Sequence, residues 1–252
     1  MPGGGHTLVG MSTEVAEHSH EDVDHGHRDV SGGWLRPAVF GAMDGLVTNI
    51  SLIAGVGGSG ASQHIIVISG LAGLVAGAFS MATGEYISVA SQNELVLAEV
   101  DSERRELTRA PKAEAGELAA VYRSQGMDAQ TAQRAAEQVS RNPETALRIH
   151  AREELGVDPD DLPSPYTAAG ASFACFAVGA LLPLLPYLIG AGAASLAIAL
   201  AVGAVVAFVG GALVSRVTSR GPVWSGMRQL LLGGLAAAVT YGVGHVLGAT
   251  VS

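Results

Sequence analysis

Cysteine is all but missing from this 252-residue chain: Cys175 stands alone inside an apolar run, which excludes an intrachain disulfide framework, a thiolate zinc site and a dithiol redox pair. Lysine is as scarce. Lys112 is the only one, and 14 basic residues face 23 acidic ones for a formal charge of −9, so no broad phosphate-neutralising face can form and nucleic acid is excluded as a partner. Aromatic residues make up 5% and charged residues 15%, against 48% hydrophobic residues and 34 glycines. That balance describes a membrane chain rather than a water-soluble globule. The mean hydropathy of +0.35 is lower than spans alone would give, so part of the protein faces water.

Long apolar runs are what the chain does have. Residues 34–56 hold one acid, Asp44, and residues 65–90 hold one, Glu85; three further runs cover 166–189, 194–215 and 227–248. Each is long enough to cross hydrocarbon as a helix. The expected fold is all-α, a polytopic membrane protein of five transmembrane helices with a water-facing helical domain between spans two and three. Its parts are a His- and acid-rich disordered tail (1–33), spans one and two (34–90), the water-facing helical domain (91–164) and spans three to five (165–252). All basic residues lie before or at the start of span one, in the 91–164 connector or around the linker between spans four and five, and none in the opposite gaps 57–64 and 190–193. The asymmetry places the N-terminus and connector in the cytoplasm and the C-terminus outside. Without an apolar h-region near Met1, no cleaved signal peptide is expected.

Small residues recur at four-residue spacing at Gly41/Gly45, Gly73/Gly77 and Gly244/Gly248, a pattern that lets helices approach closely in lipid. Pro183 and Pro186 are expected to kink span three. In the connector, span two meets no breaker until Pro111. Turn residues then mark three short helices near 113–125, 128–140 and 143–155: Gly126 closes the first, Asp128 caps the second, and Asn142, Pro143 and Gly156 bound the third. The face Ala132, Ala135, Ala136 and Val139 is a thin core, so this domain must lean on the extension of span two or on a second subunit.

A charge at bilayer depth costs about 2.5–3.5 kcal/mol on insertion scales, which makes Asp44 and Glu85 candidate functional residues. Asp44, Thr48 and Ser51 fall at i, i+4, i+7 and Met81 with Glu85 at i, i+4, so carboxylates, hydroxyls and a thioether could face a borderline divalent transition ion. Glu103 lies on the same face of span two as Glu85, about five turns and 27 Å further on. Beyond it come Glu106, Glu114 and Glu117, then His150 and Glu154 at i, i+4. Any one of these glutamates reads as a solvated surface residue or a salt-bridge partner; only the set has weight.

The runs Phe40–Leu52, Gly73–Gln92, Glu154–Gly156, Ser164–Tyr166 and Gly179–Pro183 together resemble the vacuolar iron transporter family over about residues 34–250. The resemblance implies a homodimer whose first spans line an ion path, with Asp44, Met81 and Glu85 at the translocation site. It also implies a cytoplasmic metal cluster of Glu103, Glu106, Glu114, Glu117, His150 and Glu154. His150 stands where the plant members carry methionine, and imidazole is itself a good Fe²⁺, Mn²⁺ or Zn²⁺ ligand.

The expected function is export of Fe²⁺ or Mn²⁺ from the cytoplasm in exchange for protons, without a prosthetic group and without enzymatic activity. A membrane-anchored ferroxidase is the weaker reading, because the connector has one histidine and no Glu-x-x-His pair. A metal-binding or storage protein on an inert anchor leaves Asp44 unexplained. The tail histidines His6, His18, His20, His25 and His27 could bind metal weakly. Alanine- and arginine-rich usage matches a GC-rich bacterial genome, which points to the plasma membrane.

Overall fold

The computed structural model describes residues 33–216 and 220–251, so the tail histidines lie outside the described residues. The described residues form helices and no strand: α1 (Leu35–Gly58), α2 (Gln63–Arg109), α3 (Pro111–Ser124), α4 (Ala129–Val139), α5 (Pro143–Glu154), α6 (Pro165–Leu181), α7 (Leu185–Leu188), α8 (Ser195–Val214) and α9 (Pro222–Val251). Five segments are long and apolar enough to cross a membrane, with α6 and α7 together making the third. The fifth begins at Pro222, earlier than its apolar run suggests. There the polar residues Ser225 and Gln229 turn onto Gly211 of α8, so the first turns of α9 are held by packing rather than by hydropathy.

α1 is the central element and packs on α2, α6, α8 and α9. Glycine makes this possible. A Cβ at Gly45 would stand 2.2 Å from the Phe176 carbonyl oxygen, one at Gly179 2.1 Å from that of Ala42, and one at Gly244 1.8 Å from that of Gly55. These distances are closer than any side chain allows, so the small-residue repeats serve helix packing within one subunit. The pairings also fix direction. Gly41 meets Ser172 and Gly45 meets Phe176, so α1 and α6 run parallel; Gly55 against Thr240 and Gly58 against Tyr241 show the same for α9. Gly203 on Ile50 and Gly210 on Met43 set α8 antiparallel to α1. The ring pairs Phe79–Phe173 and Tyr86–Tyr166, each 5.2 Å between centroids, set α2 antiparallel to α6.

Pro183 breaks the third span as its missing N–H requires. The chain tightens into a 3₁₀ turn at Leu182–Leu184 before α7 resumes. Just before this break the carbonyl of Ala180 accepts a hydrogen bond from Asn49 Nδ2 at 2.5 Å. Asn49 is fully buried on α1, and a buried carbonyl without that donor would cost about 1–3 kcal/mol.

α2 runs unbroken for 47 residues, about 70 Å, and so leaves the membrane as a rigid stalk. It stops where Ala110 leaves helical geometry (φ −137°, ψ 51°) ahead of Pro111. The connector helices then follow their turn chemistry. Asp128 accepts from the N–H groups of Gln130 and Thr131, Asn142 from those of Glu144 and Thr145, and Gly126 and Gly156 take φ of +104° and +66°. The cores are small, as expected of alanine faces. Leu118, Ala119 and Ala136 form one, and Val100 of α2 with Leu147 and Ala151 of α5 forms the other.

Candidate metal centre

The second small core sets up the chemistry. Val100 packing on Leu147 and Ala151 clamps α5 to the stalk, which turns His150 inward against Glu103, three residues beyond Val100. The turn at Ala110–Pro111 brings α3 back beside the stalk and delivers Glu114 to the same place. His150 is fully buried, and Glu103 and Glu114 are nearly so. His150 Nδ1 lies 3.0 Å from Glu103 Oε1, 3.1 Å from Glu154 Oε1 and 3.9 Å from Glu114 Oε2.

With the carboxylates ionised, these groups are incompletely paired. One Nδ1–H can serve one acceptor, and its geometry favours Glu154. Glu103 Oε1 then has no donor despite its 3.0 Å approach, and His150 Nε2 is buried without a partner. Moving the proton to Nε2 leaves the Nδ1 lone pair facing three carboxylates. Among the described residues no arginine or lysine pairs with these glutamates. The connector arginines that pair with acids take Asp101, Asp158 and Asp160 instead. Burial pushes the Glu103 carboxyl up from the ordinary glutamate range, reinforced by Glu154 and opposed by His150. Burial does the same to Glu114, reinforced by Glu117. A divalent cation removes the conflict, since it accepts the Nδ1 lone pair and the carboxylate charge together.

Two trios have ligand atoms within 4.8 Å of one another, Glu103–His150–Glu154 and Glu103–Glu106–Glu114, with Glu103 common to both. Glu106 and Glu117 are exposed. Glu117 belongs to neither trio and reaches the cluster through its charge on Glu114.

The intramembrane candidates are arranged more openly. Asp44 is half-buried and accepts a hydrogen bond from Thr48 Oγ1 at 3.3 Å, with Thr48 exposed. Ser51 is buried and its hydroxyl has no acceptor. Met81 packs on the apolar cluster of Ala78, Phe176 and Ala180, and Glu85 is half-buried. Among the described residues Glu85 makes no ion pair, and neither it nor Asp44 belongs to a trio of metal-ligating groups. Asn49 is the residue that sequence reasoning passed over. Its signal was an amide within an apolar run, with no indication that the partner was a carbonyl far away in the sequence at a proline break.

Five spans, a stalk that continues one of them out of the membrane and a carboxylate–imidazole cluster beside it define a polytopic membrane protein with a candidate cation site. The VIT family model matches residues 35–245. The chain belongs to that family, and is a membrane transporter rather than an enzyme. It is similar to the vacuolar iron transporter of Acanthamoeba castellanii, 40% identical over 86% of this chain and 79% of the relative. It is also similar to vacuolar iron transporter 1 of Oryza sativa subsp. japonica, 29% identical over 96% and 95% of the two chains. Vacuolar iron transporter homolog 1 of Arabidopsis thaliana is 34% identical over 85% and 84%.

Proposed function

We propose that this protein transports a divalent transition metal, Fe²⁺ or Mn²⁺, out of the cytoplasm across the plasma membrane. The observation that carries the reading is the Glu103–Glu114–His150–Glu154 cluster, acidic, buried except at Glu154, and paired with no arginine or lysine among the described residues. The names of the relatives support iron as the cargo. An all-nitrogen-and-oxygen donor set suits Fe²⁺ and Mn²⁺ and gives no advantage to a soft ion.

In this reading the cluster collects metal on the connector side, with Glu106 and Glu117 at its exposed mouth. The ion passes to Asp44, Thr48, Ser51, Met81 and Glu85, which line a path completed by a second copy of the chain. Support for the homodimer is the exposure of Thr48 beside Asp44 and of most of α2. Exchange for protons is part of the same proposal, because the carboxylates of the path offer sites that a metal ion and protons can occupy in turn. The basic residues gathered at the connector end support the cytoplasmic orientation.

The test is uptake of Fe²⁺ or Mn²⁺ into proteoliposomes with an acidic interior, driven only by the proton gradient. Asp44→Ala abolishes uptake in this account. Uptake at the unmodified rate by that variant contradicts the path.

A further inference from the structure

No acidic residue follows Asp161, and the arginines of that stretch are Arg216, Arg220 and Arg228. All three are exposed: Arg216 follows α8, Arg220 lies in the connecting turn, and Arg228 is on α9. Among the described residues none of them has a carboxylate partner, whereas Arg104, Arg105, Arg148 and Arg152 in the connector each sit on an aspartate. Three cations close together in sequence, at the end of two membrane spans, are therefore left for an external anion.

The surface below them is apolar and aligned. At 100° per residue, Trp224, Arg228, Leu231, Leu232, Leu235 and Val239 share an arc of about 100° on α9. All face outward, with Trp224 62%, Leu235 63% and Val239 57% exposed. The other side of α9 packs on Phe208 of α8 through Gly226 and on Val47 of α1 through Gly233. From Arg228 to Val239 the stripe runs about 17 Å, close to the half-thickness of a bilayer's hydrocarbon core of about 30 Å. The parallel course of α1, α6 and α9 brings Trp34, Arg36 and Tyr166, all exposed, to the same membrane border. Both tryptophans of the chain thus lie at the headgroup level of one leaflet, where their amphipathic rings are favoured.

We propose that Arg216, Arg220 and Arg228, with Trp224, form a docking surface for the headgroup of an anionic phospholipid whose acyl chains lie along Leu231, Leu232, Leu235 and Val239. Charge complementarity selects the lipid: phosphatidylcholine carries no net charge, while an anionic headgroup supplies what the sequence after Asp161 withholds. The proposal stands independently of the transported ion and of the direction of transport.

Trp224 reports on the site directly. In the full chain carrying Trp34→Phe it is the sole tryptophan, and its fluorescence is quenched by neighbouring brominated lipid. The protein is reconstituted in phosphatidylcholine vesicles containing increasing fractions of either brominated phosphatidylglycerol or brominated phosphatidylcholine. Half-quenching is expected at a several-fold lower fraction of the anionic lipid. Arg216→Gln, Arg220→Gln and Arg228→Gln together bring the two curves into coincidence, and Arg228→Gln alone, which keeps the other two arginines if the triple variant does not insert, narrows the gap. Coincident curves with all three arginines present overturn the proposal, as does a preference that survives the triple substitution. A preference that emerges only after removal of residues 1–32 assigns the arginines to the acidic N-terminal segment and overturns it equally.

Discussion

The two acidic regions of this chain differ in how they treat their charge. In the connector, carboxylates are packed around a buried imidazole until neither tautomer is satisfied. In the membrane, Asp44 and Glu85 are each the single acid of an apolar run, half-buried, and Asp44 is held by one hydroxyl. A crowded site gains most from an ion and releases it reluctantly. An open one binds weakly and exchanges quickly. Under the proposed function the difference corresponds to a division of labour, capture at the connector cluster and passage at the intramembrane residues.

The largest expected effect is at Asp44. Asp44→Ala lowers metal flux by at least about tenfold while the connector still titrates with Mn²⁺, since sites this far apart behave additively. Flux and binding lost together in this variant would dissolve the distinction between the regions. Next come the cluster residues. His150→Ala and Glu103→Gln each weaken Mn²⁺ binding by about 10–100-fold, measured by competition with a chelating dye in detergent. Glu103 has the greater effect because it serves both trios, and Glu117→Gln has the smallest.

The same crowding gives a pH dependence opposite to that of ordinary salt-bridged acids. Glu103 and Glu114 hold protons more tightly in the folded protein than in the unfolded chain. The folded state therefore binds the extra protons, and metal-free stability is greatest at and below the ordinary glutamate range, then falls as pH rises through the folded values. Thermal unfolding in detergent at about pH 5 and about pH 7 checks this. Excess Mn²⁺ at the higher pH is expected to restore the lost stability, and Glu103→Gln with Glu114→Gln to flatten the profile.

Smaller effects distinguish the packed spans from their open faces. Gly45→Ala forces a methyl to within 2.2 Å of the Phe176 carbonyl oxygen and costs about 1–3 kcal/mol. Gly170→Ala, inside α6, meets nothing within 4 Å and is neutral or stabilising by up to about 1 kcal/mol.

Much of this architecture is legible in residue order because it rests on local rules. Hydropathy marks five spans, Pro111 ends the stalk, and Asp128, Asn142, Gly126 and Gly156 punctuate the connector through hydrogen bonds and φ angles confined to a few residues. The cluster is legible as a set of acids on repeating helical faces. Its frustration is not, since that depends on Val100 clamping Leu147 and Ala151 and thereby burying His150, a tertiary event. Asn49 was invisible for the same reason: its partner is the Ala180 carbonyl, brought to it from far along the sequence by the packing of α1 on α6. The start of α9 was misjudged because packing on Gly211 outweighs the low hydropathy of its first turns.

The most direct test of capture at one place and passage at another is the concentration dependence of initial Mn²⁺ uptake into acid-loaded proteoliposomes, comparing the unmodified chain with the Glu103→Gln, His150→Ala double variant. A connector that only collects predicts a half-saturating concentration raised at least about tenfold, with the maximal rate little changed. A collapsed maximal rate at an unchanged half-saturating concentration would contradict the account and place the cluster in the passage itself.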